Sequence, residues 1–330
     1  HGGGVRGRLR PLAPALQGSR RVPASALKEE AGALAGGARH SRLRNAFVGA
    51  QVAISMVLLV GAGLMLRSVQ NAQAADPGFE IANAFAMDFD LDLEGASREE
   101  GARYYRTLVE RVEALPGVRS AALGNRAPLD ISTPTTPVAL DAGAPERSVS
   151  FYRVDEGYFE TVGVPILQGR GFDGRDVEGG PRVVVVNETM ARRFWPGANP
   201  IGQRLRYGAE GGPVEVVGVA RDAKVRTLGE DPTSLVYSPF SQDYDAAMTL
   251  VVRTEAAPGP VMGAVRQELA RLDRSPQGFF ARTMAEHTSV SLAPMRIASA
   301  FLGVVALVAL ALASVGVYGV VAHGVGERTR

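Results

Sequence analysis

Four histidines, His1, His40, His287 and His323, are the side chains best suited to bind a metal or shuttle protons, and their spacing supports neither role. No H-E-x-x-H occurs, and His40 and His323 sit beside long apolar blocks. Cysteine is absent, which excludes disulfides, thiolate metal sites and cysteine nucleophiles from these 330 residues. Serine, histidine and aspartate are present, but no G-x-S-x-G turn presents a nucleophile. Asp88, Asp90 and Asp92 recur at strand spacing and read as a solvated strand face. Gly169, Gly171 and Gly174 around Arg170 and Asp173 lack phosphate-loop spacing and read as a turn after a strand. No G-x-x-x-x-G-K-[ST] occurs either, so ATP has no site here. Trp195, between Phe194 and Pro196, reads as a core plug rather than a ligand platform. The chain is therefore expected to hold no catalytic residue, no cofactor and no metal.

The elements around these residues are of two materials. Phe47 to Leu66 and Ile297 to Ala322 are uninterrupted apolar blocks of 20 and 26 residues, against a charged fraction of 21% overall. At about 1.5 Å per residue the shorter block is about 30 Å long, the thickness of a bilayer's hydrocarbon core. The first block begins too far into the chain, and is too long, to be a cleaved signal. Before it, nine Lys and Arg face two acids, Glu29 and Glu30, and Arg328 and Arg330 follow the second block. Positive flanks stay in the cytoplasm, so both termini are expected inside. The basic amino-terminal stretch then lies against membrane lipid, and no nucleic acid is required to explain it. Ser68 to Met295 holds 23 Lys and Arg against 31 Asp and Glu, a net charge of −8, and is expected outside.

Within that outer segment, Ser97 and Glu100 form a capping-box pattern ahead of Tyr105, Leu108, Val112 and Leu115 at helical spacing, stopped by Pro116-Gly117. Alternating strands flank this helix at 84–93 and 118–125. The same order returns with a strand at 248–254, a helix bearing Val261, Val265, Leu269 and Leu272, and a strand at 278–284. Two strand-helix-strand units thus bracket an inserted, mainly β lobe over about 127–242. In the lobe, strands are expected near 149–154, 182–186, 214–219 and 235–239, with Asn187 capping a short helix. Pro-rich 128–145 reads as a surface loop or hinge. The fold class is α+β: two transmembrane helices flanking a two-lobed α+β domain. Its segments are a basic cytoplasmic linker (1–46), a membrane helix (47–66), the outer core (67–296), a second membrane helix (297–322) and a cytoplasmic coupling start (323–330).

Several strings then stand in a distinctive order: SRLRNAFVGAQVAISMVLLVGAGLMLRS leading into DPGFE, FYRVDEGYFETVGVPILQGRGF, VVVVNETMARRFWPGANPIGQRLR and VVGVARDAKVRTLGEDP. From about Leu12 to Arg330 the chain resembles a MacB/FtsX-type ABC transporter permease, and within that group the duplicated permeases. The resemblance implies a fragment of a longer protein in the bacterial inner membrane, multi-pass, with its large domain in the periplasm. It implies a mechanotransmission role in efflux or export, ATP hydrolysis on a separate ABC ATPase subunit, and a second permease unit or homodimer partner. The substrate is left open.

Inside the second block, Ala306, Ala309, Ala313 and Gly316 share a helix face at spacings of three and four, a packing seam for another helix. Gln51 and Ser55, four apart in the first block, are intramembrane polar residues expected to hydrogen-bond to a neighbouring helix. The bare topology also fits a two-helix receptor with a ligand-sensing outer domain. A membrane-anchored enzyme fits less well, for want of a catalytic constellation.

Overall fold

The computed structural model describes residues 24–92, 95–141, 143–208, 212–272 and 280–328. Most of the basic amino-terminal run, Arg330, Leu93, and Gly278 and Phe279 of the last expected strand lie outside the described residues. In chain order the elements are α1 (Ala24–Ala74), β1 (Ala84–Asp90), α2 (Arg98–Glu113), β2 (Val118–Gly124), β3 (Thr135–Ala139), β4 (Arg147–Val154), α3 (Tyr158–Val162), β5 (Ile166–Gly169) and β6 (Val183–Asn187). There follow α4 (Glu188–Phe194), β7 (Arg204–Tyr207), β8 (Val214–Ala220), β9 (Leu235–Pro239), β10 (Ala247–Thr254), α5 (Pro258–Leu269), β11 (Ala281–Thr283) and α6 (Met284–Arg328). Packing divides the chain into two units: residues 60–304, and the helix segments up to Leu59 and from Val305. Ala46–Asn71 within α1 and Arg296–Gly319 within α6, with mean hydropathies of 2.1 and 2.6, are long and apolar enough to cross a membrane.

Residues 60–304 form two lobes. In the first, the two strand-helix-strand units interleave into an antiparallel sheet ordered β11-β1-β10-β2, the split βαβ arrangement. The pleat sends Phe85, Met87 and Phe89 of β1 to the face covered by α2 and α5, where Tyr105, Leu108, Val112, Val261, Val265 and Leu269 meet them. Each large side chain removed from water there contributes about 1.5–3 kcal/mol. The capping box at the start of α2 is formed: Ser97 Oγ accepts the Glu100 amide at 3.3 Å and Glu100 Oε2 accepts the Ser97 amide at 2.9 Å.

The second lobe is a closed barrel. β4 pairs with β3, β3 with β7, β7 with β8, β8 with β6, β6 with β9, and β9 returns to β4 in parallel register. Closure leaves the ring no open edge. Val184, Val186, Val216, Leu205, Phe151, Phe194 and Trp195 fill one apolar cluster of the lobe, so Trp195 is indeed packed, at 9% exposure. Between the lobes, Phe79, Ala86, Tyr152, Tyr158, Phe159, Tyr237 and Met284 belong to one continuous core, and β2 meets β4 at Gly124 and Val154.

One expectation is corrected. The stretch 128–145 is not simply a surface loop or hinge: it contains β3, which pairs with β4 and β7 and buries Val138, while Leu129 is also buried, with φ 65°. Pro137 sits where the β7 ladder gives out: the ladder pairs Val138 and Ala139, and the Pro137 carbonyl accepts the Gly208 amide just past β7 at 3.4 Å. β7 and α3 carry no sequence signal, being too short, at four and five residues, to show a period.

Candidate functional site

Charged and capping contacts fasten both places where a long helix enters residues 60–304. At the first joint, α1 ends at Ala74 because Pro77 disfavours helical geometry in Asp76 before it. Asp76 Oδ1 accepts the Gly78 amide at 2.9 Å, a local turn that holds its carboxyl below the usual range, while its other oxygen takes Arg221 Nη2. Gly78 sits at φ +81°, and a β-carbon there would lie 2.3 Å from the Asp222 carbonyl oxygen, so the close approach requires glycine. The Lys224 amide donates to the Pro77 carbonyl at 2.8 Å, and Phe79 enters the inter-lobe core.

Two residues further on, the Glu80 amide donates to Val162 O at 2.9 Å and the Glu80 carboxylate pairs with Arg253 of β10. Arg253 is 6% exposed, donates through Nε to Thr161 O at 2.8 Å, and has its pKa lowered by burial. The segment Asp76–Glu80 is thus tied to the barrel lobe through Arg221 and Lys224, and to the sheet lobe through Arg253.

At the second joint, β11 runs directly into α6. Thr283 Oγ1 accepts the Glu286 amide at 3.1 Å and Glu286 Oε2 accepts the Thr283 amide at 2.9 Å. This second capping box, led by the Thr283 backbone bond, lowers the pKa of Glu286. Its sequence signal is the pattern T-x-x-E, which a reading by apolar period alone does not pick up. Met284 is buried in the inter-lobe core, and His287, 6% exposed, brings Nε2 to 2.9 Å from the Pro128 carbonyl oxygen. Burial, then the charge of Arg282, lowers its pKa, so the neutral imidazole is favoured. Arg282 in turn pairs with Asp88 at 2.9 Å, and Asp88 accepts Thr249 Oγ1 at 2.7 Å, so this strand face is fastened as well as wet.

A half-buried carboxyl follows β4 where that strand meets the sheet lobe. Asp155 Oδ2 accepts the Leu123 amide at 2.8 Å, and Oδ1 is enclosed without a hydrogen-bond partner. Burial pushes this carboxyl up to about 8, and Glu113 and Glu156 nearby add to the rise.

The strings met in the sequence are structural. Asp222 accepts Asn187 Nδ2 at 2.7 Å, the Thr189 amide at 2.8 Å, Thr189 Oγ1 at 2.6 Å and Arg192 Nη2 at 3.0 Å. Asn187 caps α4 through the Met190 amide. The glycine-flanked turn after β5 is closed by a bidentate pair, Arg170 to Asp176 at 2.6 and 2.8 Å.

In the helix segments outside residues 60–304, Ala306 and Ala313 are 2% and 4% exposed, and Ala309 and Gly316 are half-buried. A β-carbon at Gly316 would lie 3.4 Å from Val48 Cγ2 and 4.0 Å from Gln51 Oε1. Ser55, 2% exposed, donates to the Gln51 carbonyl of its own helix at 2.7 Å, the back-bonding open to any helical serine.

These features define a membrane protein carrying a large, two-lobed α+β unit between two apolar helices. The chain belongs to the MacB-like periplasmic core domain family, whose model matches residues 52–272. This agrees with its resemblance to the MacB/FtsX-type permeases, and makes it a membrane protein of the ABC transporter permease family with a domain of periplasmic type. A relative from Paracoccus denitrificans (strain Pd 1222), "Macrolide export ATP-binding/permease protein MacB 1/2", is 34% identical over 133 residues, 40% of this chain and 20% of that protein. "Macrolide export ATP-binding/permease protein MacB" of Agrobacterium fabrum (strain C58 / ATCC 33970) is 25% identical over 67% of this chain and 35% of that protein. The chain thus spans only about a fifth to a third of these relatives. Among solved structures, the periplasmic region of MacB from Actinobacillus actinomycetemcomitans is similar over 64% of this chain and 94% of that one, at 18% identity and a TM-score of 0.45.

Proposed function

We propose that this chain is the transmission part of an ABC permease: movement of its membrane helices, driven by ATP hydrolysis on a nucleotide-binding partner, is passed to the two-lobed unit during efflux or export. The observation that carries this reading is the fastening at both joints. α1 extends as helix to Ala74 and is followed at once by the Asp76–Arg221 and Glu80–Arg253 pairs, while α6 begins at Met284 inside the core. A helical connector with fastened ends passes on displacement, whereas a glycine-rich one absorbs it. The 330 residues contain no Walker motif, and the relatives' names join an ATP-binding part to a permease, so the ATPase acts from outside these residues.

On this reading the protein lies in the bacterial inner membrane with both termini cytoplasmic and residues 67–296 periplasmic. The seam Ala306, Ala309, Ala313 and Gly316 packs against a membrane helix, and Gln51 lies in the same contact. A second permease unit or a homodimer partner completes the assembly.

The test is an insertion of several glycines after Gln70 in the assembled transporter. Export and substrate-stimulated ATP hydrolysis should both collapse while ATP binding persists; unchanged coupling would defeat the proposal. Topology is tested separately by single cysteines in a chain that has none: labelling at Ser148 and not at Ser25 by an impermeant reagent in intact cells is expected.

A further inference from the structure

The apolar cluster inside the barrel lobe includes Phe151 of β4, Val184 of β6, Leu205 of β7 and Val236 of β9. Side chains repeat every two residues along a strand, so Arg153, Arg182, Tyr207 and Ser238 continue those inward faces by one step and meet at one end of the barrel. A cavity of about 440 Å³ opens there, within the roughly 300–1,000 Å³ of small-molecule sites, and a barrel mouth is a common place for one. The buried rings of Phe151 and Tyr207, 5.1 Å apart, form its floor, and a guanidinium stands over each, Arg153 over Phe151 and Arg182 over Tyr207, both at 5.0 Å. The two cations differ in what they have left to give. Arg153 is bound by Asp243 and Asp245, each at 3.0 Å. Arg182 forms no ion pair among the described residues: Nη2 donates to Tyr207 Oη at 2.9 Å, and that hydroxyl is shared with Ser238 at 3.0 Å. β3 adds a backbone donor to the lining. The Phe151 amide donates to Pro134 O at 3.0 Å and the Ser150 amide turns away from β3 to Ser234 O at 2.9 Å. Thr135, opposite Ser150, therefore turns its amide away from β4, toward the side where β7 pairs only from Val138 onward.

We infer that this mouth binds a small organic carboxylate, held by the guanidinium of Arg182 and the amide of Thr135. A guanidinium stacked on a ring is already oriented, and its planar fork matches a carboxylate. Asp243 on the same lining, with Asp245 behind it, repels a doubly charged anion more than a singly charged one, which favours carboxylate over phosphate. Binding does not depend on the transmission role, so the two readings fail separately.

The experiment uses the full chain in lipid nanodiscs and two probes of the same shape, 4-fluorobenzoate and its neutral amide 4-fluorobenzamide, titrated by fluorine NMR line broadening against empty nanodiscs. Saturable binding of the benzoate, and none of the benzamide beyond the empty discs, is expected. Arg182→Gln should weaken the benzoate about tenfold, the worth of one charge-assisted hydrogen bond. Arg182 is half-exposed and makes one side-chain hydrogen bond, so the melting temperature should hold. If that variant does not fold, Arg182→Lys, which keeps the charge and loses the planar fork, carries the test, with weaker binding expected. Asp243→Asn should bind the benzoate as tightly or more tightly, because it removes a negative charge from the lining while Arg153 keeps Asp245. Inorganic phosphate at the same concentration should leave the bound benzoate in place. Absence of benzoate binding, equal binding of the benzamide, unchanged affinity on losing the Arg182 fork, displacement by phosphate, or a loss on Asp243→Asn as large as on Arg182→Gln would each overturn the assignment.

Discussion

The two lobes of residues 60–304 share apolar interiors but differ in how their turns and loops are held. The sheet lobe is a short antiparallel sheet with β11 on its rim, held chiefly by one apolar cluster that includes Phe85, Met87, Tyr105, Leu108, Leu250 and Val265. The barrel lobe has an apolar interior of its own, but its returns and loops are held by carboxylates bonded to backbone and side-chain donors. Asp222 joins β8 to α4, Glu230 caps the 225–226 amides, and Asp176 binds Arg170 at the turn after β5. The difference teaches where each lobe is vulnerable. An apolar cluster loses stability by degrees as atoms are removed, whereas a polar hub fails at once, because its donors are left buried and unpaired.

The largest effect that would sharpen this contrast is Asp222→Ala, which takes an acceptor from four donors and leaves the Thr189 amide and hydroxyl without one, while Asn187 Nδ2 keeps Thr233 O and Arg192 stays in solvent. It should cost about 3–5 kcal/mol, mostly from the two Thr189 donors left unpaired. Leu108→Ala in the apolar cluster should cost about 2–5 kcal/mol in proportion to the cavity it leaves. Urea unfolding of both variants checks this, and the contrast breaks if a conservative Asp222→Asn recovers full stability, since the amide cannot accept all four bonds.

Next comes a pH effect at the crossing between the lobes. The folded-state pKa of Asp155, raised to about 8, lies above the ordinary 3.8, so the folded protein binds a proton that the unfolded chain releases. Stability from this group is therefore fully present below pH 3.8 and is lost as pH rises through 8. A melting temperature several degrees lower at about pH 9 than at about pH 6 is expected, and Asp155→Asn should flatten that slope. An unaltered slope in the variant would remove Asp155 from the account.

Smaller still is the second joint, where Thr283→Ala removes the cap of α6 and should cost about 1 kcal/mol by denaturant midpoint. Smallest is the surface pair that crosses from one lobe to the other, Arg98 to Glu178 at 3.0 Å, with side chains 46% and 70% exposed. Arg98→Ala should change stability by less than about 0.5 kcal/mol, and less again at high salt. A loss above about 1 kcal/mol would mean that surface charge, not the shared aromatic core, holds the lobes together.

What the sequence determined by itself rests on short-range pattern. Uninterrupted apolarity marks the two long helices, because 20 residues of helix match a bilayer whatever surrounds them. The box at Ser97 and Glu100 marks the start of α2, and Asn187 marks α4, because a cap is a bond between near neighbours. The repeated strand-helix-strand order was legible too, and so was the inserted β lobe. Tertiary structure alone decided the rest. Val183 to Val186 read as a strand, but nothing in four consecutive valines says that β6 lies between β8 and β9, or that β9 closes on β4 to complete a ring. Nor does the Pro-rich stretch 128–145, which reads as a loop or hinge, announce that β3 pairs with both β4 and β7. The ion pairs of the first joint were beyond reach for the same reason: Asp76 meets Arg221 across 145 residues and Glu80 meets Arg253 across 173. A charge shows no period, and its partner is chosen by the packing of the apolar residues between them.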